Sequence, residues 1–362
     1  MARDLLYEKF LRPFFFGMDP ESVHELAHHA LKMSSPLLPA LGLRYKKDDL
    51  QTELFSTSLQ NPIGIAAGFD KNGNLIEALS SLGFGFAEIG SVCARPHGGN
   101  PKPRLFRLEE DAALINRLGL NGLGADVVSR FLKSKRFELP VGINIAKTND
   151  PSISASDAVK DIVYTFECVK SLPIKYVTLN TSCPNTAEGA LKESEHLDRV
   201  LDALAQSNTA ALPLLLKLSP DSGDSFLQEV LKQSERYKIS GFVCGNTTIS
   251  RAELNTPAER LKEIGNGGLS GRPLKKLNLE LTRKIAAEKK SEQIIIGVGG
   301  IITGADAFEY LDAGAGYLQI YTGFVYRGPS AVRQICEELS QILKEKGLKL
   351  SSFADRSKTL AS

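Results

Sequence analysis

The amino-acid sequence predicts an α/β fold, a closed (β/α)8 TIM barrel with an N-terminal two-helix extension. From residue 61 onward, short apolar segments typical of buried strands alternate with amphipathic helical patterns. Such alternation indicates parallel strands that are covered on both faces. Eight of these units follow one another before residue 347, which fits a closed barrel better than an open sheet.

The predicted elements follow the chain in a regular order. Strands are predicted at residues 62–67, 86–89, 141–145, 176–179, 214–218, 241–244, 294–298 and 317–321. Helices are predicted at residues 74–82, 156–170, 224–237, 277–288, 305–313 and 330–346. We therefore expect three regions, namely an N-terminal helical segment (1–45), the barrel (46–346) and a polar C-terminal tail (347–362).

The N-terminal segment concentrates large apolar side chains, among them Leu5, Phe10 and three phenylalanines at 14–16, with basic residues between them. An Asp-Pro-Glu motif at 19–21 is typical of a helix start, with the aspartate as N-cap. The helix that follows is expected to end near residues 34–36. Two such helices either cap a core or lie on a membrane surface with a basic-edged apolar face.

Composition argues against several classes of partner. Lys+Arg 44 against Asp+Glu 42 gives a net charge of +2, so no global field attracts nucleic acid. The five cysteines are widely spaced and form no Cys-x-x-Cys pair, which predicts a reducing compartment and no structural metal site. The sequence shows neither a signal nor a transit peptide, and no window reaches the ~18 apolar residues of a membrane span. We expect a small-molecule partner and a soluble or peripheral protein.

Polar side chains cluster at one predicted end of the barrel. They fall at or just after the C-terminal ends of strands: Lys71, Ser91, Asn144, Asn180, Lys217, Asn246, Tyr321 and Thr322. That end carries the active site in (β/α)8 barrels. Glycine-rich loops at 267–273 and 297–300, with a further loop from 321, would bring backbone N–H groups close to a phosphate. We therefore expect a phosphorylated cofactor, and no dinucleotide-type Gly-x-Gly-x-x-Gly precedes a helix in a βαβ unit.

A polar segment at 180–186, Asn-Thr-Ser-Cys-Pro-Asn-Thr, follows the fourth predicted strand. Pro184 removes a backbone donor and keeps Cys183 out of the helical region, so the strand must break into a loop here. A cysteine thiol has a pKa of ~8.5, near enough to neutral for proton abstraction. Cys183 is thus predicted as the catalytic base, and the alternative is a polar turn with a buried cysteine.

These residues together resemble dihydroorotate dehydrogenase, a flavin enzyme family of pyrimidine synthesis, over nearly the whole chain. The motifs that carry the resemblance lie at residues 66–71, 99–107, 115–121, 180–186, 246–248, 267–273, 297–301 and 321–324. The N-terminal segment resembles the extension of the quinone-linked, membrane-associated class 2 enzymes. The resemblance implies FMN-dependent oxidation of dihydroorotate to orotate, a membrane quinone as acceptor, and a peripheral position on the cytoplasmic face of the cell membrane.

The resemblance also implies a role for each matching position, with Cys183 as the base. FMN contacts are implied for Ala67, Gly68, Lys71, Ser91, Asn144, Asn180, Lys217, Gly245, Gly271, Gly300, Tyr321 and Thr322. Dihydroorotate contacts are implied for Lys71, Asn116, Gly119, Leu120, Asn180, Asn185, Asn246 and Thr247. The quinone site is implied for Arg104, Tyr321, Phe10 and Phe14.

Four positions depart from the class 2 pattern. Cys183 stands where class 2 enzymes have serine, and Leu120 stands where they have phenylalanine; both residues are the class 1 choice. Gly245 and Ser91 each stand for a threonine of the family. Because Cys183 and Leu120 are both class 1 choices, the alternative is that a soluble acceptor, fumarate or NAD, takes the electrons.

Two other functions fit parts of the sequence. A phosphate-binding (β/α)8 lyase or isomerase without flavin could use Lys217 for Schiff-base or enolate chemistry. A peripheral membrane scaffold could use residues 1–45 but leaves the polar rim unexplained. The colour of oxidised flavin in the purified protein distinguishes the flavin enzyme from both.

Overall fold

Eight parallel strands close into a barrel in the computed structural model, which describes residues 7–181 and 194–353. The strands in chain order are β1 (Thr52–Leu54), β2 (Thr57–Leu59), β3 (Ile63–Ile65), β4 (Phe86–Val92), β5 (Leu105–Leu108), β6 (Ala113–Asn116), β7 (Val141–Ile145), β8 (Tyr176–Asn180), β9 (Leu214–Leu218), β10 (Gly241–Cys244), β11 (Gly268–Gly271), β12 (Ile294–Val298) and β13 (Tyr317–Ile320). The barrel runs β3-β4-β7-β8-β9-β10-β12-β13, and β13 pairs with β3 to close it. The predicted fold class is confirmed, and each of the eight predicted strands is a barrel strand.

Helices follow the barrel strands and cover them from outside. In chain order they are α1 (Arg12–Phe16), α2 (Pro20–Ser34), α3 (Ile76–Ser81), α4 (Ala125–Lys133), α5 (Ala155–Val169), α6 (Ser194–Ser207), α7 (Asp224–Arg236), α8 (Ala258–Ile264), α9 (Lys275–Glu288), α10 (Gly304–Asp312), α11 (Thr322–Arg327) and α12 (Ala331–Glu345). The six helices predicted after the extension are all present, with ends that shift by up to two residues. The helices α4, α6, α8 and α11 were not predicted.

The floor of the barrel is filled by aromatic rings and closed by a hairpin. A Cβ atom on Gly64 would lie 2.6 Å from the Phe86 ring, and one on Gly142 would lie 2.1 Å from the Tyr176 ring. These two strand positions therefore leave room for large side chains from neighbouring strands. The β1–β2 hairpin packs Leu54 and Leu59 against the same inner cluster, so the barrel is open only toward the carboxyl ends of its strands.

A small antiparallel sheet lies above those carboxyl ends. It has the order β11-β6-β5, with Ser270 opposite Leu114 and Arg107 also opposite Leu114. This sheet was not predicted, because each strand is only four residues long, and an arginine in β5 and glycines in β11 interrupt the apolar residues. It brings two loops that are distant in sequence to one side of the barrel mouth.

The N-terminal segment begins and ends its main helix as predicted. The Asp19 side chain accepts a hydrogen bond from the Ser22 backbone N–H (2.8 Å), and α2 ends at Ser34. Beyond the helix, Leu38 and Leu43 are buried in the main core. Part of the first 45 residues thus packs into the core of the barrel, and the division of the chain at residue 45 stays a prediction. Within the described ranges, no helix is long and apolar enough to cross a membrane.

Candidate functional site

A cleft opens at the carboxyl ends of the barrel strands, under the β11-β6-β5 sheet. It holds about 1190 Å³ of space free of protein atoms, including the part open to solvent. Seven of the eight barrel strands contribute their ends or the next residues to its wall. Because this space includes open solvent, the polar groups on the wall, rather than its size, indicate what the cleft binds.

Most positions predicted for ligand binding line this cleft. On the cofactor side these are Ala67, Gly68, Lys71, Ser91, Asn180, Lys217, Gly245, Gly271, Gly300, Tyr321 and Thr322. On the substrate side they are Lys71, Asn116, Gly119, Leu120, Asn180, Asn246 and Thr247. Asn144 is 0% exposed and lies behind the wall. Cys183, Asn185 and Leu5 lie outside the described residues, and the individual roles of all these positions stay predictions.

A buried glutamate lies inside the barrel beneath the cleft. Glu88 in β4 is 0% exposed, and its carboxylate accepts four hydrogen bonds. Oε1 accepts from Asn144 Nδ2 (2.9 Å), and Oε2 accepts from Gln319 Nε2 (2.9 Å). Oε2 also accepts from the hydroxyls of Thr178 (3.1 Å) and Tyr176 (3.4 Å). A carboxylate offers only acceptors, so each neighbour must turn a donor toward it.

The orientation set by this carboxylate continues to the cleft wall. Because Asn144 turns its amide nitrogen to the carboxylate, its oxygen is left to accept from the Ser91 hydroxyl. The Ser91 oxygen accepts from Asn180 Nδ2 (3.3 Å), and Asn180 Oδ1 accepts from Asn246 Nδ2 (3.3 Å). Asn246 Oδ1 in turn accepts from the Thr247 backbone N–H (2.9 Å). The amides that face a ligand are therefore fixed in direction, since each has only one orientation compatible with its neighbours.

Two lysines bring positive charge to the cleft. Lys71 donates from Nζ to Asn121 Oδ1 (2.5 Å). Burial, followed by the charge of Arg104, lowers the pKa of Lys71 to about 8, although Glu21 opposes this. Lys217 is 6% exposed and is the parallel-register partner of Asn180. An anionic ligand that enters the cleft thus meets two ammonium groups, one in the loop after β3 and one in β9.

The loop after β12, which contains Gly299 and Gly300, is predicted from the sequence to hold a phosphate, and we call it the phosphate cradle. Gly300 has φ +71°, and a Cβ atom there would lie 2.8 Å from the backbone N of Lys275, the first residue of α9. A side chain cannot fit between the loop and the helix start, so the loop backbone remains open on its cleft side. Backbone next to a helix N-terminus suits an anion.

Two amide oxygens on the cleft wall were missed by the sequence analysis. Asn278 Oδ1 and Gln319 Oε1 belong to side chains that are 0% exposed, and neither atom has a hydrogen-bond partner within the described part of the chain. Both are acceptors, so a ligand that presents N–H or O–H groups would satisfy them. Together with the lysines and the glycine loop, these oxygens fit a phosphorylated flavin, which carries ring N–H, hydroxyl and phosphate groups.

A face of α2 closes one side of the cleft with aromatic rings. The His24 ring stacks on Tyr321 (centroids 6.5 Å apart, interplanar angle 13°), and His28 packs on Phe69 (5.0 Å). Burial is the main cause that lowers the pKa of His24 to about 3 and that of His28 to about 4, so both rings are neutral at pH 7. Neither histidine was predicted, although their i, i+4 spacing on one helix face was a usable signal.

The residues predicted for a quinone site divide between two places. Arg104 is 7% exposed and donates to Glu21 Oε1 from Nη2 (2.8 Å) and to the carbonyl of Gly98 from Nη1 (2.7 Å). Burial raises the pKa of Glu21, but hydrogen bonds and charge from Arg104 outweigh burial, so this pKa lies below its usual range. Arg104 therefore ties α2 to the loop before β5. Phe10 and Phe14 lie on the surface and are each 67% exposed, whereas Tyr321 lines the cleft.

Comparisons with known proteins agree on one family. The family model for dihydroorotate dehydrogenase matches residues 49–343. Among similar proteins, dihydroorotate dehydrogenase (quinone) of Christiangramia forsetii is 39% identical and covers 95% of this chain and 100% of its own length. The enzyme of the same name from Thermus thermophilus is 42% identical, with 92% of this chain and 96% of its own covered. The solved structure of the Eimeria tenella DHODH in complex with ferulenol is 30% identical, has a TM-score of 0.76, and covers 92% of this chain and 94% of that one.

Proposed function

The chain belongs to the dihydroorotate dehydrogenase family, and from that membership we propose that it oxidises dihydroorotate to orotate in pyrimidine (UMP) biosynthesis, with a quinone as electron acceptor. Members of this family use a flavin, and FMN is the flavin proposed for this chain. The single observation that carries the proposal is the cleft wall, where lysines, oriented amides and a glycine loop meet on one barrel rim.

The substrate side of the cleft suits a small anionic ring. Lys71 neutralises the carboxylate of dihydroorotate, and Asn116, Asn180 and Asn246 present amides to its carbonyl and N–H edges. Because Asn180 and Asn246 are already oriented by hydrogen bonds to one another, they bind the ring without reorganising.

Oxidation removes two hydrogens from adjacent carbons of the substrate ring. We assign Cys183 as the base that removes the proton next to the substrate carbonyl, on the sequence argument given above. Its sulfur takes up this proton and is a thiol after the step. The flavin, when bound, supplies the acceptor for the hydride. Lys217, buried in the wall, would stabilise the negative charge that develops on the flavin when it is bound. Because Lys217 is itself only 6% exposed, water screens its charge less than that of a surface lysine, and the effect of the charge is larger.

The N-terminal segment suits a membrane surface that delivers quinone. Of the thirteen large apolar side chains exposed in the described residues, eight lie between residues 7 and 41, including Phe10, Phe14, Met33 (80%) and Leu37 (71%). Such a concentration marks an interaction surface rather than ordinary scatter. We propose that this surface rests on the cytoplasmic face of the cell membrane, and that quinone reaches the aromatic wall of α2 from there.

The first test is the reaction itself. We expect the purified protein to be yellow, to bleach when dihydroorotate is added without oxygen, and to regain colour faster with quinone than with fumarate or NAD. Stopped-flow absorbance measures both steps. A colourless protein that is nevertheless active would favour a lyase or isomerase, and faster recovery with fumarate or NAD would assign a soluble acceptor.

The base is tested by the substitution Cys183→Ala. Loss of a general base should slow anaerobic bleaching by dihydroorotate by about 10²-fold or more. Cys183→Ser should keep a little activity with its pH optimum moved upward, because a hydroxyl is a much weaker acid than a thiol. Cys168→Ala, at a half-buried thiol on α5, is the matched control and should bleach normally. Bleaching of Cys183→Ala at the wild-type rate would show that another group is the base.

The charge on Lys71 is tested by the pH dependence of orotate binding. With a pKa of about 8, Lys71 is charged below that pH and neutral above it, so the affinity for the orotate carboxylate should fall above pH 8 by up to about tenfold per pH unit. The dissociation constant is measured from the flavin absorbance change, in Cys183→Ala so that titration of the Cys183 thiol does not contribute. Lys71→Arg stays charged and should show no such fall. A decline of equal size in Lys71→Arg would exclude Lys71 as its source.

The membrane surface is tested by the double substitution Phe10→Ser and Phe14→Ser. Both rings are exposed, so folding stability should change little, whereas partition onto anionic lipid vesicles should weaken by about 10²-fold or more. Turnover with a long-chain quinone should fall, and turnover with a short soluble quinone should not. Ile249→Ser, at a 64% exposed position outside the segment, is the control. Unchanged vesicle binding of the double variant would remove the membrane role from this surface.

A further inference from the structure

Asn278 lies on the cleft wall with one polar atom unpaired. It belongs to the first turn of α9 and is 0% exposed, yet its Oδ1 has no hydrogen-bond partner among the residues that the structure describes. Burial of an acceptor without a partner is unfavourable. A residue of this kind on the wall of a ligand cleft points to a donor that arrives with the ligand.

The orientation of this amide is fixed by the protein. Asn278 Nδ2 donates to the carbonyl oxygen of Val298 (2.8 Å), the last residue of β12. If the amide were turned over, two oxygens would face each other, so Nδ2 must stay on the Val298 side. Oδ1 is therefore an acceptor in every arrangement and cannot be satisfied by rotation of the side chain.

Two glycines make the space that the amide occupies. A Cβ atom on Gly245 would lie 2.6 Å from Asn278 Nδ2 and 2.1 Å from the Val298 oxygen, and a Cβ atom on Gly299 would lie 2.2 Å from the same nitrogen. Gly245 also has φ +134°, which disfavours any other residue. Residue 245, which follows β10, therefore cannot bind a cofactor through a side chain. The side-chain amide of Asn278 in α9 is the polar group at this place on the cleft wall.

The groups around Asn278 determine which donor can form a hydrogen bond with its Oδ1. Gly299 and Gly300 belong to the phosphate cradle described above, and Asn278 lies one helical turn after Lys275, which packs on Gly300. A phosphate offers only acceptors to a neutral amide oxygen, so it cannot be the partner. The sugar-alcohol chain attached to a flavin's phosphate carries hydroxyl donors, and it has to begin beside the cradle.

We propose that Asn278 holds the flavin by accepting a hydrogen bond from a hydroxyl of its ribityl chain through Oδ1, in place of a side chain at position 245. The inference rests on the proposed FMN cofactor. It assigns Asn278 as a further cofactor-binding residue and gives a physical reason for glycine at position 245.

The test compares three flavins on full-length protein that has been stripped of its cofactor and reloaded. FMN and riboflavin carry the ribityl hydroxyls, whereas lumiflavin has the ring alone. In Asn278→Leu, the dissociation constants of FMN and riboflavin, read from flavin fluorescence, should both rise on the order of tenfold. That of lumiflavin should not change, because a general distortion of the cleft would weaken all three. The variant also removes the donor to the Val298 oxygen, because the Tyr310 hydroxyl donates chiefly to the Gly299 oxygen (2.7 Å), and the lumiflavin measurement controls for any resulting distortion.

Two further variants keep the test decisive. Asn278→Ala should behave as Asn278→Leu does, and it replaces that variant if leucine prevents folding. Thr282→Val is the matched control, because the Thr282 hydroxyl is equally buried one turn along α9 but donates to the Asn278 carbonyl oxygen (2.7 Å) rather than to the cleft. It should bind all three flavins as the wild-type protein does.

Three results would overturn the inference, and they are distinguishable. Unchanged FMN affinity in both Asn278 variants would mean that water is the partner of Oδ1. An equal loss for lumiflavin would mean that the ring or the shape of the cleft is affected. If the wild-type protein bound none of the three flavins, the proposed cofactor itself would be wrong and this inference would fall with it.

Discussion

The carboxylate of Glu88 is the constraint on which the barrel interior depends. A charge removed from water costs several kcal/mol unless it is fully hydrogen-bonded, and this one accepts donors from β7, β8 and β13 as well as lying on β4 itself. Half of the barrel strands therefore meet at one acidic group. Because the carboxylate only accepts hydrogen bonds, every amide that contacts it must turn its nitrogen toward it. The same hydrogen bonds fix the spacing of these strands.

The orientation of these amides determines which polar atoms face the cleft in two ways. Through Ser91, Asn144 orients Asn180 at the end of β8 and Asn246 after β10. Gln319 turns its nitrogen to the carboxylate and leaves its oxygen on the cleft wall. A buried network in which each member has one possible arrangement is rigid. A site built on it presents a preset pattern of donors and acceptors, which is what recognition of a planar ring and a flavin requires.

The sequence predicted the barrel well because its strands are short, apolar and buried on both faces, and it predicted most of the cleft wall because polar residues directly follow those strands. It failed where function depends on contacts between distant segments. The β11-β6-β5 sheet has no apolar period, and Asn278 reads as an ordinary polar residue of a surface helix until its slot between Gly245 and Gly299 is known. His24 and His28 follow a helical period, but nothing local shows that the face they share covers a cleft.

The geometry of the barrel also bears on the mixture of class 1 and class 2 features. Around the closed barrel, β8 and β13 are separated by three strands in each direction. The segment with the cysteine follows β8, whereas Tyr321 follows β13 and joins the cleft to α2 through the His24 ring. The strand that precedes the cysteine in the sequence and the strand that precedes Tyr321 thus lie diametrically opposite in the barrel, with the cleft at their carboxyl ends. The rings of the aromatic wall come from α2 and from residues after β3 and β13, so a class 1-like cysteine after β8 in the sequence requires no change in any of them.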